Sequence, residues 1–371
     1  MHFRSILLQK SKRLQSTHAP GKHSSTLVYS AMLISFVLFL YYIVKHSVTF
    51  SIIIPLYNAE DYLDDCLLSV LNQSYQDFEA IIIDDASSDR SFFIAEQYRR
   101  KDKRIKLIHY SINKGTLLAR KAGIMMAKGK FLLFLDPDDY LSTDMLTILI
   151  NKMQERDVDI LQFNATCFNG TEKWIQDVKT FLNPKSEALI ESSEAIVTQC
   201  FVKHHHTWSL CTKVFNRKLV QQAMNLVESH HIIAAEDAYL YMIIISLSTS
   251  YRSTFTPPLY HYRLRSRRST DSTIRPKIIM DELTILKMMK QFTATYPNLP
   301  AFTKAQISWQ NLMLNEHVYR FTKIPADSLC TVLATMLHVY GRETLMPKLI
   351  ETFNSTRQDL IQQMEQCVFL K

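Results

Sequence analysis

Apolar and polar positions fall into three patterns along the chain. The first is the run LVYSAMLISFVLFLYYIV over 27–44, eighteen residues without a charge. At about 1.5 Å per residue, such a run matches the length that crosses a hydrocarbon core of roughly 30 Å. The second begins at residue 50. Short continuous apolar runs at 50–55, 79–85, 105–110 and 131–136 start 29, 26 and 26 residues apart. That interval leaves room for a helix between strands, which is βαβ spacing rather than hairpin spacing. The stretches 61–72, 91–100 and 116–127 between them are helical in pattern, with Tyr62, Cys66 and Val70 at i, i+4 and i+8. Strands that do not alternate with polar residues are buried on both faces, so the runs predict a mostly parallel sheet sandwiched by helices. The pattern over 160–270 is mixed. The third pattern, from 276 to 371, is helical, with a stripe of Ile279, Leu283, Leu286 and Met289 and breaks near Pro297, Pro300 and Pro325.

The organisation predicted is a basic tail over 1–26, an anchor over 27–44, an α/β domain over 50–270 that divides near 150, and a helical C-terminal subdomain over 276–371. Charge sharpens this picture. Of the net +8, six charges lie in residues 1–46, ahead of the first carboxylate, Glu60. A body so close to neutral has no broad phosphate-binding face, which excludes nucleic acid as a partner. Five Lys or Arg precede the apolar run and Lys45 follows it. The positive-inside rule then predicts a single pass with a cytosolic N-terminus and a body on the far side, lumenal in a eukaryotic Golgi or ER enzyme. In a bacterium the body would instead be cytoplasmic, at the inner membrane. The six cysteines include no CxxC pair, so the sequence predicts buried free thiols rather than structural zinc.

Ligands of parallel α/β sheets sit at the carboxyl ends of the strands, and acids collect there. Asp84 and Asp85 end the second run, while Asp136, Asp138 and Asp139 stand in DPDDY at the end of the fourth. Three carboxylates within four residues repel one another, and an Asp-x-Asp spacing lets two of them reach one hard divalent ion, Mn²⁺ or Mg²⁺. The alternative is a solvated acidic turn. The pair Glu236-Asp237 heads an apolar run, either as a general base or as acids at a helix start. The only dense basic cluster of the body is YHYRLRSRR, from Tyr260 to Arg268, suited to a diphosphate, lipid headgroups or solvent. His204, His205 and His206 are consecutive, so their side chains diverge and do not suggest a metal site. Neither GxGxxG nor a P-loop occurs.

FSIIIPLYNAEDYLDDCLLSVLNQSYQDFEAIIIDDASSDRS followed by NKGTLLARKAGIMMAKGKFLLFLDPDDYL resembles the family 2 glycosyltransferases. The likeness is tight over 50–150, thins through WSLCTKVFNRKL, AAEDAYLY and YHYR, and ends before the helical tail. The resemblance implies a GT-A fold, Rossmann-like, and an inverting, non-processive transfer from a nucleotide-sugar donor to a glycan or glycolipid acceptor. It implies that Pro55, Tyr57 and Asp84 or Asp85 line the base and ribose, and that Arg120 faces the nucleotide or its diphosphate. Asp136 and Asp138 would hold the Mn²⁺ or Mg²⁺, Asp237 would be the base, and His261 would support the diphosphate side. With no QxxRW sequence and one apolar span, the chain does not resemble a processive, extruding synthase. A rival reading is a non-catalytic membrane scaffold that keeps the fold for binding.

Overall fold

The computed structural model describes residues 48–353 except 229, 233, 265–274, 322, 323 and 325, together with 32, 33, 35 and 367. The chain divides into two units, Met1–Ser47 and Val48–Lys371. The predicted tail and all but three residues of the predicted anchor lie outside the described residues.

In the second unit, β1 (Phe50–Leu56), β2 (Phe78–Asp84), β3 (Ile105–His109) and β4 (Phe131–Phe134) pair in parallel in the order β3-β2-β1-β4. The helices α1 (Leu63–Leu71), α2 (Ser91–Lys101) and α3 (Thr116–Met126) fill the connections, as the spacing predicts. Every residue of β1, β2 and β4 is buried, which is why these runs lack polar alternation. Pro55 fits the central strand because the β1–β4 ladder ends at Ile53↔Phe134. An N–H at position 55 would therefore have no ladder partner on that side.

Beyond β4 the direction changes. β9 (Lys213–Asn216) runs antiparallel to both β4 and β6 (Ile160–Gln162), and β10 (Tyr251–Ser253) and β8 (Ala188–Ile190) complete the eight-stranded sheet. Four ladders are parallel and three antiparallel, so the sheet is mostly parallel with a mixed half. A three-stranded sheet of β5 (Tyr140–Leu141), β11 (Tyr260–Arg263) and β7 (Ala165–Phe168) begins directly after the DPDD turn. The remaining helices of this part are α4 (Met145–Glu155), α5 (Glu172–Leu182), α6 (Ser193–Val197) with a π turn at Thr198–Val202, α7 (Arg217–Leu226) and α8 (Glu236–Leu247).

The C-terminal part is helical as predicted: α9 (Arg275–Thr295), α10 (Pro300–Phe321), α11 (Ala326–Tyr340) and α12 (Arg342–Phe353). Ile279, Leu283, Leu286 and Met289 are all fully buried. Two cysteines depart from the free-thiol expectation, because Cys330 and Cys367 form a disulfide, while Cys66, Cys167, Cys200 and Cys211 are free and buried.

The predicted single-pass placement is overturned. Among the described residues no helix is long and apolar enough to cross a membrane. The most apolar helix, α8, has only twelve residues and is buried in the core, while the longest, α10, interleaves its buried positions with Lys304, Glu316 and Arg320. The described residues give the predicted membrane partner no support.

Candidate active site

Strand β4 stops at Phe134, and the chain turns through Asp136-Pro137-Asp138-Asp139 before β5. Four hydrogen bonds fix this turn from β11. The Asp136 N–H donates to the Tyr260 hydroxyl (3.2 Å), and that hydroxyl donates to Asp139 Oδ2 (2.6 Å). The Arg263 N–H donates to Asp139 Oδ1 (2.7 Å), and its Nε donates to the Asp138 carbonyl (2.8 Å). Asp139 is buried, and burial together with Asp138 and Asp136 pushes its carboxyl well above the usual carboxylate range. It is a brace. Asp136 and Asp138 are only half-buried.

The second half of the site comes from α3 and α8. Arg120 is 5% exposed, and its guanidinium bridges two acids rather than standing open to a diphosphate. Nη1 donates to Glu236 Oε1 (2.5 Å) and Nη2 to Asp136 Oδ1 (3.1 Å), while the buried Nε has no partner among the described residues. Burial opposes the Arg120 charge, but Glu236 and Asp136 outweigh it and raise its pKa. Glu236 is pushed up to about 7, chiefly by burial, with Arg120 pulling the other way. Asp237 is raised as well, again by burial first, with Arg120 lowering and Asp136 raising it. Its Oδ1 accepts the Ala238 N–H (2.9 Å) at the start of α8. Its side chain is half-buried, unlike that of Glu236. Of the acidic pair, Asp237 is thus the more open to a substrate.

Below these groups, Cys211 Sγ donates to Asp136 Oδ2 (3.6 Å), and burial, then Asp136, pushes this thiol well up. The Lys213 ammonium is fully buried, donates to the carbonyls of Thr207 (2.8 Å) and Ser209 (2.5 Å), and lies 4.5 Å from the Tyr241 ring centroid. Burial brings its pKa down to about 7. Neither residue stands out in the sequence, because Cys211 meets an acid 75 residues away and the Lys213 acceptors are backbone carbonyls, which carry no residue signal.

At the other strand ends, Asp84 is fully buried, with Oδ2 2.7 Å from His109 Nδ1 and Oδ1 without a partner among the described residues. Asp85 is committed elsewhere, since its two oxygens accept the N–H groups of Lys114 (2.7 Å) and Gly115 (2.8 Å). Of the two, Asp84 keeps an acceptor for a ligand. Pro55 is buried in β1, and Tyr57, just past it, is 45% exposed. His261 is not brought to the acids. It stacks on Tyr140 at 4.4 Å and meets Ser142 Oγ at 2.9 Å, and alternation along β11 turns it away from the face of Tyr260. Burial lowers its pKa. In the basic cluster only Arg263 sits on the DPDD turn, stacked between Tyr62 (4.9 Å) and Phe168 (4.7 Å), while 265–268 lie outside the described residues.

Whether these groups suit a divalent ion can be read from the donors. Asp136 and Asp138 offer hard oxygens, and the raised Asp139 carboxyl reports negative charge that a cation would relieve. Among the described residues no three His, Cys, Asp or Glu side chains converge as a metal site. The set therefore fits an ion held jointly with an anionic substrate, and not a self-sufficient protein site.

Comparisons with known proteins bear on the family and the fold. The family model described as "Glycosyl transferase family 2" matches residues 51–220. The chain is 35% identical over 191 residues to the uncharacterized glycosyltransferase EpsJ of Bacillus subtilis, covering 51% of this chain and 53% of that protein. It is 38% identical over 123 residues to the poly(ribitol-phosphate) beta-glucosyltransferase of Bacillus spizizenii, covering 32% of this chain and 19% of that protein. The chain thus spans about half the length of EpsJ, and less of several other curated relatives. Among solved structures, S. aureus TarS 1–349 in complex with UDP-GlcNAc aligns with a TM-score of 0.57 at 20% identity, over 84% of this chain and 92% of that one. That likeness supports the α/β, GT-A-like fold. The relatives named are bacterial, so the Golgi or ER placement of the body loses its basis.

Proposed function

Residues 51–220 belong to the family 2 glycosyltransferases, and from that premise we propose that the chain moves a sugar, with inversion, from a UDP-linked donor to a hydroxyl of a glycan, lipid or protein-linked acceptor. One observation carries this reading. Arg120 ties Asp136, at the end of β4, to Glu236, at the start of α8, and so places the half-open Asp237 beside the Asp136–Asp138 turn. A base and a charge-stabilising pole on one crevice are what an inverting displacement requires. The TarS neighbour is described with UDP-GlcNAc, which supports a UDP-linked donor.

Pro55, Tyr57 and Asp84 take the base and ribose, with Asp84 Oδ1 as the acceptor left open for a donor N–H or O–H. Asp136 and Asp138 would hold Mn²⁺ or Mg²⁺, whose chemistry would be to supply positive charge against the leaving diphosphate. Asp237 takes the proton from the acceptor hydroxyl as its oxygen attacks the anomeric carbon. Burial favours that role by raising the carboxylate's proton affinity. Arg120 keeps Glu236 and Asp136 apart from the transferred proton.

The test uses the full chain with a panel of nucleotide-sugars, Mn²⁺ or EDTA, and release of nucleoside diphosphate. The expected result is release from one donor that stops with EDTA and in Asp138→Asn, while Asp237→Asn still binds donor but does not turn it over. A folded protein that neither binds nor turns over any donor would establish the scaffold instead.

A further inference from the structure

The segment from Val227 to Glu236 joins α7 to the acid pair, and its two ends are held by consecutive residues of α3. At one end, Lys121 Nζ donates to the Val227 carbonyl (2.8 Å). At the other, Arg120 Nη1 donates to Glu236 Oε1 (2.5 Å). Neighbours on a helix point about 100° apart, so one helix can grip two separate points with adjacent side chains. A third contact presses on the middle. Gly115, at φ +87°, lies so close that a Cβ there would stand 2.7 Å from the Ile232 carbonyl oxygen. The His231 ring nitrogen Nε2 meets Asn113 Oδ1 at 3.1 Å. The segment ends in strain, because Ala235 takes a left-handed conformation at φ 58° immediately before the acids.

We propose that Lys121 is a positioning residue for Asp237: by fixing the Val227 carbonyl while Arg120 fixes Glu236, it sets the segment whose end aims the base. Family resemblance assigns Lys121 no role. The inference rests on reading Asp237 as the base. Lys121 is half-buried and touches none of the donor-side acids in its hydrogen bond, so its effect runs through backbone placement. Gly115 serves the same end from the opposite side, since Asp85 clasps its N–H and that of Lys114. Asn113 and Gly115 thus seat the segment against the loop that leads into α3.

Hydrogen exchange on the full-length chain reads the clamp directly, and nucleoside diphosphate release reads its consequence. In Lys121→Met the amides of 228, 230–232 and 234–236 exchange faster, and kcat falls on the order of tenfold to a hundredfold at unchanged donor KM, the size expected for a misplaced catalytic group. Lys121→Arg, which can still donate to the carbonyl, restores both. Gly115→Ala pushes on the same segment and gives the same pairing of faster exchange and lower kcat, which keeps the test alive if Lys121→Met folds poorly. Unchanged exchange in Lys121→Met would overturn the clamp, and so would a loss of donor affinity in proportion to kcat, which would move Lys121 to the donor side. If the wild type turns over no donor at all, the glycosyltransferase reading fails, and the exchange comparison still decides whether Lys121 holds the segment.

Discussion

The acid pair at the start of α8 shows how one residue's environment divides labour between neighbours of nearly identical chemistry. Glu236 is sealed against Arg120 and raised to about 7, while Asp237 stays half-open and is raised too. A base must be deprotonated to act, so kcat/KM should rise with pH along an acid limb displaced upward from the ordinary Asp range, in a pH–rate profile of the free enzyme. Glu236→Gln leaves Arg120 with Asp136 as its one carboxylate partner beside Asp237, and the limb should move to lower pH with some activity kept. The same residue predicts a stability trend. Its folded-state pKa lies above the ordinary Glu value of 4.5, so between about 4.5 and 7 the unfolded chain releases its proton first and stability falls as pH rises. Urea midpoints of wild type minus Glu236→Gln should show that slope. The sequence made Asp136, Asp138 and Asp237 legible as acids at strand ends and a helix start. It did not reveal that Arg120 would bind Glu236, 116 residues away, because local spacing carries no information on which buried charges meet.

The parallel half of the sheet was readable because β1, β2 and β4 are buried on both faces, only the edge strand β3 being partly exposed, and each connection is one helix long. The other half was not. Its strands run from three to four residues, and β9 joins the sheet between β4 and β6 by long-range pairing that no short window contains. Helix α3 carries much of what matters, and a single glycine sets its distance from the sheet. A Cβ on Gly123 would stand 2.6 Å from Ile53 Cγ2 and 2.7 Å from Ile83 Cδ1, so helix and strands touch where only a hydrogen fits. Alanine at a helix interior is favoured over glycine by about 1 kcal/mol. Overpacking a filled core typically costs about 1–3 kcal/mol. Packing should win, and Gly123→Ala should lower the urea midpoint. Because Arg120 rides on the same helix, the variant should also lose turnover out of proportion to its lost stability.

Residues 48–371 form one compact unit although they contain a sheet domain and four C-terminal helices. The junction is aromatic. Trp309 of α10 packs edge-on against Trp208 at 4.9 Å and against Phe201 of the π turn at 6.1 Å, and Ser308 Oγ donates to the Phe201 carbonyl (2.5 Å). Trp208 in turn meets Phe181 of α5 at 4.9 Å, so the contact reaches from the helical part into the segment that leads to Lys213. Unfolding should therefore be a single transition, with tryptophan fluorescence and helical circular dichroism coinciding. Two variants separate the sources of that cohesion. Trp309→Ala removes a side chain that is 3% exposed and should cost about 3–5 kcal/mol, the range for emptying such a site, with the transition moving as a whole. Trp309→Phe should cost less, because the buried indole N–H has no hydrogen-bond partner among the described residues and its removal strands no acceptor. If Trp309→Ala instead split the two signals, so that helix content fell before fluorescence changed, the C-terminal helices would be an independent folding unit docked on the catalytic domain rather than part of its core.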